Sequence, residues 1–323
     1  MQAIVQSEYG SPDVLSLAEV DMPMVKSNEV LVKVRAAAVH AGDWHLMRGE
    51  PFLIRLIFGG LLKPKIRTLG TDMAGCVESV GAKVTQFKPG DEVFGELSEF
   101  GFGTFAEYVS VPEKALALKP VNLTFEQAAA VPVSGLSALQ ALRNVGQIQP
   151  GQRVLVNGAA GGVGSFAVQL AKAFGAEVTG VCSTKKVDMV RSLGADHILD
   201  YSQKDITQMT ERYDLVLDTA AYRSVFDLLP LLTSEGTYVI IGGSTVRLLQ
   251  VMLFGPLISK IHQRKVKCLA QKPNQADLIF LRELITEGKL SPFIDRCYSL
   301  SEVPAAIRYL EQRQAKGKIA ITV

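Results

Sequence analysis

The segment 153–182, "RVLVNGAAGGVGSFAVQLAKAFGAEVTGVC", limits the possible folds more than any other stretch of the chain. A β-branched run at 153–157 meets a cluster of glycines. An apolar helical pattern from Gly162 to Gly175 follows, and then a second β-branched run at 177–182. Two strands joined by a helix must lie parallel, and a parallel sheet needs helices on its faces. The turn reads Ala159-x-Gly161-x-x-Gly164, a variant of the GxGxxG pattern with alanine first. Such spacing lets the chain turn tightly, brings backbone close to a pyrophosphate, and packs the helix near its strand. The phosphate then rests on the amide-rich, positive end of the helix. Dinucleotide binding is the expectation, carried by Ala159, Gly161, Gly162, Val163 and Gly164.

The same rhythm continues. Helix 185–194, strand 197–201 and strands 213–220, 236–243 and 265–271 extend the alternation, which predicts a doubly wound parallel (Rossmann) sheet. Residues 1–120 read differently, as short alternating strands with glycine and proline turns, and suggest a small β-barrel. A helix is expected over 123–146, with Thr124 and Gln127 spaced as a capping box. The tail adds amphipathic helices at 275–290 and 301–317 and a last strand, "KIAITV", and is expected to pack back on the first domain. The expected domains are therefore 1–122 with 273–323, a β-barrel domain, and 123–272, the Rossmann domain.

A carboxylate about 20 residues beyond the turn selects NAD by binding the ribose 2′-hydroxyl. Val181, Cys182, Ser183 and Thr184 occupy that point, followed by Lys185 and Lys186, and Asp188 falls inside the next predicted helix. Ser183 and Lys186 suit a 2′-phosphate, so NADP(H) is expected rather than NAD(H).

Composition excludes several classes. A net charge of +2 over 323 residues gives no strong field for nucleic acid, and the basic runs 184–186 and 262–267 are short. The four cysteines (76, 182, 268, 297) are widely spaced, which fits reduced thiols in the cytoplasm better than disulfides or a structural zinc lobe. The apolar stretches "PFLIRLIFGGLLKP" (51–64) and "LLQVMLFGPLISKI" (248–261) are broken by Arg, Gly or Pro and too short to span a bilayer. They are expected to be buried or to line a pocket, with peripheral membrane contact as the alternative. The segment "VHAGDWH" (39–45) holds His40, Asp43 and His45, all able to bind a metal or move a proton.

Seven ordered strings, among them "EVLVKVRAAAVHAGDWHLMRG", "LGTDMAGCVESVGAKVTQFKPGDEVFG", "GAAGGVGSFAVQLAKAFGA", "RSLGADHILDY" and "GKIAITV", resemble the medium-chain dehydrogenase/reductase superfamily, and within it the zinc-free quinone oxidoreductase (zeta-crystallin-like) branch. The resemblance runs end to end. It implies a GroES-like barrel domain and a Rossmann domain with the cofactor held between them. It implies NADPH contacts at Gly161 to Gly164, a 2′-phosphate group of Ser183, Lys186 and Tyr201, and Ser137 beside the nicotinamide. Gly242 and Gly243 would lie on a loop passing the cofactor, and Arg313 matches a phosphate-side position. A homo-oligomer is expected.

Zinc-dependent members of this superfamily carry a cysteine in the segment matching "VHAGDWH", a His-Glu after a glycine, and a further Cys or carboxylate. Here His40 stands alone in the first, Thr71-Asp72 replaces His-Glu, and 128–142 holds no Cys, His, Asp or Glu. A catalytic zinc needs three protein ligands, so none is expected. Without a Lewis acid, alcohol oxidation is poorly served. Hydride transfer to a quinone or an α,β-unsaturated carbonyl asks only for position and hydrogen bonds. The family's usual Asn-x-x-Asp is here His40-x-x-Asp43, so His40 is expected to line the pocket and polarise or protonate the acceptor, with Asp43 anchoring the loop. The apolar 51–64 stretch suggests a hydrophobic rim and a fairly large apolar substrate, and the expected partner class is a small-molecule apolar carbonyl or quinone. The alternatives are an enoyl-thioester reductase and an NADPH-binding protein with a structural or RNA-binding role.

Overall fold

A computed structural model describes residues 1–58 and 60–323 and divides into two compact units. The first comprises Met1–Val133, Lys272–Gly288 and Pro292–Val323, and the second comprises Ser134–Gln271 and Lys289–Ser291. Along the chain the strands are β1 (Gln2–Gln6), β2 (Leu15–Glu19), β3 (Glu29–Val39), β4 (Asp72–Val80), β5 (Glu92–Glu96), β6 (Tyr108–Pro112) and β7 (Leu116–Leu118). Then come β8 (Arg153–Asn157), β9 (Glu177–Cys182), β10 (His197–Asp200), β11 (Tyr213–Asp218), β12 (Leu232–Ile240) and β13 (Lys265–Cys268). The tail supplies β14 (Ile294–Ser299) and β15 (Lys318–Thr322).

In the first unit, a seven-stranded sheet runs β14-β15-β3-β4-β5-β7, and β6 pairs with β3. Antiparallel pairing dominates, and β3 is the hub. Its alternating Val30, Val32 and Val34 are buried with Met73, Val93 and Val111 on one side of the curled sheet, while Ala37 and Val39 join a second cluster with Ile319 and Ile321. The tail strand β15 pairs antiparallel with β3, Ile319 opposite Val39 and Thr322 opposite Ala36.

In the second unit, six parallel strands run in the order β10-β9-β8-β11-β12-β13. Strand order reverses between β8 and β11, which creates the crevice at the strands' carboxyl ends where open parallel sheets bind ligands. The helix Gly162–Ala173 links β8 to β9, with Phe166, Val168 and Leu170 fully buried.

Three elements differ from the sequence expectation. The single helix over 123–146 is in fact a short helix Phe125–Ala129, a second Pro132–Gln140, and wider π-type turns over Ala141–Gly146. Pro132 lacks the N–H needed to continue the first. The stretch 248–261, expected to be buried or to line a pocket, is mostly exposed. It lies in an 18-residue helix, Thr245–His262, of which only one stripe (Val251, Ile258) is covered. The 51–64 stretch likewise departs from the expected burial: it forms a short helix, Leu53–Ile57, with Phe52, Leu53, Leu56, Ile57, Leu61 and Leu62 exposed, and its Gly59 lies outside the described residues.

Candidate active site

The glycine turn of the second unit is a built cradle. Gly161 precedes the helix Gly162–Ala173 with extended backbone (φ −85°, ψ 175°) and no side chain caps its amides. These first N–H groups need partners from outside the helix, and an anion supplies them. Gly161, Gly162 and Val163 are half-buried, whereas Gly164 is buried. A Cβ on Gly164 would stand 2.1 Å from the Gly158 carbonyl oxygen, so helix and strand approach as closely as backbone permits. On Gly161 the nearest atom to a Cβ is the same oxygen at 3.3 Å, and beyond it lies open space. Ala159 is fully buried, its N–H donating to the Val181 carbonyl at 3.0 Å. The residues present therefore fit a dinucleotide's pyrophosphate.

At the edge of this crevice, Ser183 starts a 3-10 turn over Thr184–Lys186, and the Tyr201 N–H donates to the Cys182 carbonyl at 3.0 Å. Ser183, Lys186 and Tyr201 thus cluster at the carboxyl end of β9. The fold adds a residue there that the sequence reading missed. Asp200 ends β10, beside β9, and accepts hydrogen bonds from Thr184 Oγ1 (2.5 Å) and Ser202 N–H (2.9 Å). These donors hold its carboxyl below the usual range, with Thr184 the largest cause, so it carries a negative charge close to Lys186's end of the sheet. The signal was present in "ILDY", but only the sheet order brings it next to Ser183.

The remaining cofactor positions are distributed. Ser137 is nearly buried on the helix Pro132–Gln140. Gly243 sits at φ +130°, and a Cβ there would meet the Ala221 amide at 2.4 Å, so glycine is required for this loop to pass Ala221. Gly242 accepts from the Ala221 N–H at 3.0 Å. Arg313 is exposed at φ +58°, in the first unit, whereas Ser183, Lys186 and Tyr201 lie in the second. Beneath the crevice, buried Asp218 at the end of β11 accepts from Asn157 Nδ2 (2.8 Å) and Tyr238 Oη (2.7 Å), tying three strand ends together. Burial pushes its carboxyl upward.

In the first unit, "VHAGDWH" is the start of a helix. His40 is the N-cap of Ala41–Arg48, and with Asp43 it forms a reciprocal capping box. The Gly42 N–H donates to His40 Nδ1 (3.0 Å), and the His40 N–H donates to Asp43 Oδ2 (2.8 Å). Nδ1 is therefore an acceptor, Nε2 carries the proton, and Nε2–H donates to Thr71 Oγ1 at 2.7 Å. Burial first, and the nearby Lys318 ammonium second, push the imidazole down to about 3. His40 is thus held as a hydrogen-bonding residue, with both ring nitrogens engaged and burial favouring its neutral form. His45 turns away, its Nδ1–H donating to the Glu50 carbonyl (2.7 Å) while its ring stacks on Trp44.

Behind His40 lies an ion pair that the sequence did not disclose. Lys318 Nζ donates to Asp72 Oδ2 at 3.0 Å with both side chains buried, and Asp72 Oδ1 accepts from the Val133 N–H at 2.7 Å. Asp43 is completely buried; among the described residues its Oδ1 makes no well-formed hydrogen bond, and the Gly70 amide is a weak influence on the carboxyl. Burial, with Asp72's charge as a lesser cause, raises its carboxyl to about 8.

This arrangement predicts a pH signature. An acid whose folded pKa is raised contributes stability that is complete below its unfolded value, here 3.8, and lost as pH climbs through about 8. The lowered His40 works oppositely, and its contribution is complete above 6.5 and lost as pH falls toward 3. Between pH 6.5 and 8 the raised Asp43 contributes a falling slope of up to about 1.4 kcal/mol per pH unit, in the same direction as the raised Asp72 and Asp218. Urea unfolding of Asp43→Asn across that window should show a flatter profile. An unchanged slope would place the titration elsewhere.

The chain matches the family model "Alcohol dehydrogenase GroES-like domain" over residues 26–121 and "Zinc-binding dehydrogenase" over 193–321. It is 34% identical over 356 residues to the mitochondrial NAD(P)H oxidoreductase RTN4IP1 of Bos taurus, covering 100% of this chain and 89% of the relative. It is 35% identical to the chloroplastic NADPH-dependent alkenal/one oxidoreductase of Arabidopsis thaliana, covering 99% and 79%. The quinone oxidoreductase structure from Coxiella burnetii superposes with a TM-score of 0.89 at 31% identity, covering 100% of this chain and 99% of that one. The chain belongs to the medium-chain dehydrogenase/reductase superfamily, in its quinone oxidoreductase branch. As a medium-chain reductase it is an oxidoreductase that uses a nicotinamide dinucleotide.

One of the two matching models describes zinc-binding enzymes, and the residues here do not fit that ion. His40 spends both nitrogens on Gly42 and Thr71, Asp72 is paired with Lys318, and among the described residues no three His, Cys, Asp or Glu side chains converge. The buried Lys318 ammonium would also repel a second cation at that spot.

Proposed function

We propose that this reductase transfers hydride from NADPH to a quinone or to an α,β-unsaturated carbonyl, without a metal. Two observations carry this reading: the second unit has an uncapped, glycine-lined dinucleotide cradle, and the first unit, taken by itself, has a metal-incompatible His40–Thr71–Asp72–Lys318 cluster. The Arabidopsis relative's name, which specifies NADPH and alkenals or alkenones, supports the acceptor class, as do relatives named quinone oxidoreductases.

The nicotinamide supplies the hydride when bound. The chain's residues do the rest. The amides of Gly161, Gly162, Val163 and Gly164 hold the pyrophosphate, and Ser137 and the Gly242-Gly243 loop flank the cofactor. Ser183, Lys186 and Tyr201 bind the 2′-phosphate. His40 and Asp43 are positioning residues. Their capping box fixes the segment after β3 and presents Thr71 in one orientation. An enone that accepts hydride at its β-carbon becomes an enolate, which needs hydrogen-bond donors and then a proton. With His40 held neutral by burial, solvent is the proton source in this reading. The exposed apolar side chains Phe52, Leu53 and Leu56 suit an apolar substrate.

NADPH and NADH oxidation with a quinone or an enone as acceptor tests this directly. NADPH should be preferred. Lys186→Ala should lower kcat/KM for NADPH by roughly 10- to 100-fold, the worth of one charged hydrogen bond, and leave NADH little changed. Asp200→Asn should shift preference further toward NADPH by removing a like charge. Preference for NADH in the wild type would overturn the 2′-phosphate assignment.

A further inference from the structure

The helix Thr245–His262 is apolar over most of its surface, with Arg247, Gln250, Ser259 and Lys260 as its interior polar residues, yet one stripe of it is covered. Val251, Gly255 and Ile258 face the core of the second unit. On the other side Val246, Leu249, Leu253 and Leu257 form a continuous ridge, with Met252 and Phe254 beside it, and all six are exposed, Leu253 to 72%. A helix that is hydrophobic over most of its surface is normally buried, so this ridge is built to be covered by something outside the unit.

Charge identifies what covers it. From Gly236 to Ala276 the chain has no Asp or Glu, but it carries Arg247, Lys260, Arg264, Lys265, Lys267 and Lys272. Lys260 and Lys265 are exposed at the carboxyl end of the ridge. Apolar side chains that end in exposed Lys260 and Lys265, with no carboxylate on the helix itself, complement a surface that is greasy inside and negative outside. The segment 51–71 repeats the composition independently. Phe52, Leu53, Leu56 and Ile57 are exposed, and Arg55, Lys63, Lys65 and Arg67 occur without an acid. No described helix is long and apolar enough to cross a membrane.

We propose that the Thr245–His262 ridge is a peripheral docking surface for an anionic lipid bilayer. The ridge enters the boundary between headgroups and acyl chains, and the cations at its carboxyl end pair with lipid phosphates. Such docking brings the protein to where apolar quinones dissolve, although the lipid contact does not depend on the acceptor's identity.

Co-sedimentation of the full chain with phosphatidylcholine vesicles containing about 30% phosphatidylglycerol tests the proposal, read beside light-scattering mass in solution. Wild type should bind these vesicles, release with salt, and bind pure phosphatidylcholine weakly. Each of Lys260→Gln and Lys265→Gln should weaken binding about fivefold, and Leu253→Glu/Leu257→Glu should abolish it while NADPH binding persists. Failure of wild type to bind anionic vesicles overturns the proposal. A wild-type dimer that Leu253→Glu/Leu257→Glu converts to monomer would also overturn it, since a second copy would then be what covers the ridge.

Discussion

Lys318→Met should destabilise the protein by about 3–5 kcal/mol, the cost of stranding one partner of a buried ion pair. Lys318 and Asp72 are each no more than 2% exposed, and their 3.0 Å contact joins β15, at the end of the chain, to β4. Without the ammonium, Asp72 must stay charged with only the Val133 N–H for company or take up a proton. The loss should therefore be smaller in acid. A second change, Asp72→Asn, keeps an acceptor for Val133 and removes the stranded charge, so the double variant should be more stable than Lys318→Met alone. Lys318 also depresses His40, so its removal should let the imidazole titrate higher, which NMR would follow. Chemical denaturation of the three variants decides the matter. Equal stability of single and double variants would mean the pair does not act as a charge pair.

The glycine turn should give the second large effect, and it should split. Gly164→Val places a Cβ 2.1 Å from the Gly158 oxygen and 2.9 Å from the Ala159 Cα, so backbone must move. Forced shifts of this kind cost about 1–3 kcal/mol, and the separated turn should lose cofactor as well. Gly161→Val has extended backbone that valine tolerates, and its Cβ meets one atom within 4 Å, the Gly158 oxygen at 3.3 Å, which asks for a shift of a few tenths of an ångström at most. It should leave the melting temperature near that of the wild type yet weaken NADPH binding at least roughly tenfold, because the space it fills belongs to the pyrophosphate. Melting curves with fluorescence titration of NADPH distinguish the two. Parallel losses in both variants would show that Gly161 is only structural.

The two variants also show why some of the molecule was legible in its sequence. The turn, the helix Gly162–Ala173 and the parallel strands follow from spacings within thirty or so residues, and the strand order matches the doubly wound sheet they imply. The capping box at His40 and Asp43 was equally local, but histidine is an uncommon N-cap, and its two ring nitrogens suggested proton transfer. Only the fold shows both to be occupied. Lys318 and Asp72 lie 246 positions apart, and neither has a distinguishing neighbour in sequence. Asp200 became visible beside Ser183 once β10 was seen to flank β9. For the helix Thr245–His262, an apolar run broken by Gly255 and Pro256 suggested burial. Its periodicity could not say that just one stripe would find a partner.

Transfer of label from the 4-deuterated face of NADPH to an enone tests the central claim most directly. The protein is first stripped with a chelator, then turned over with the enone, and the product is read by mass spectrometry and NMR. Deuterium at the β-carbon, at a rate unaffected by the chelator, with solvent hydrogen at the α-carbon, is the predicted result. Absence of label in the product, or activity that vanishes with the chelator and returns with zinc, would contradict it.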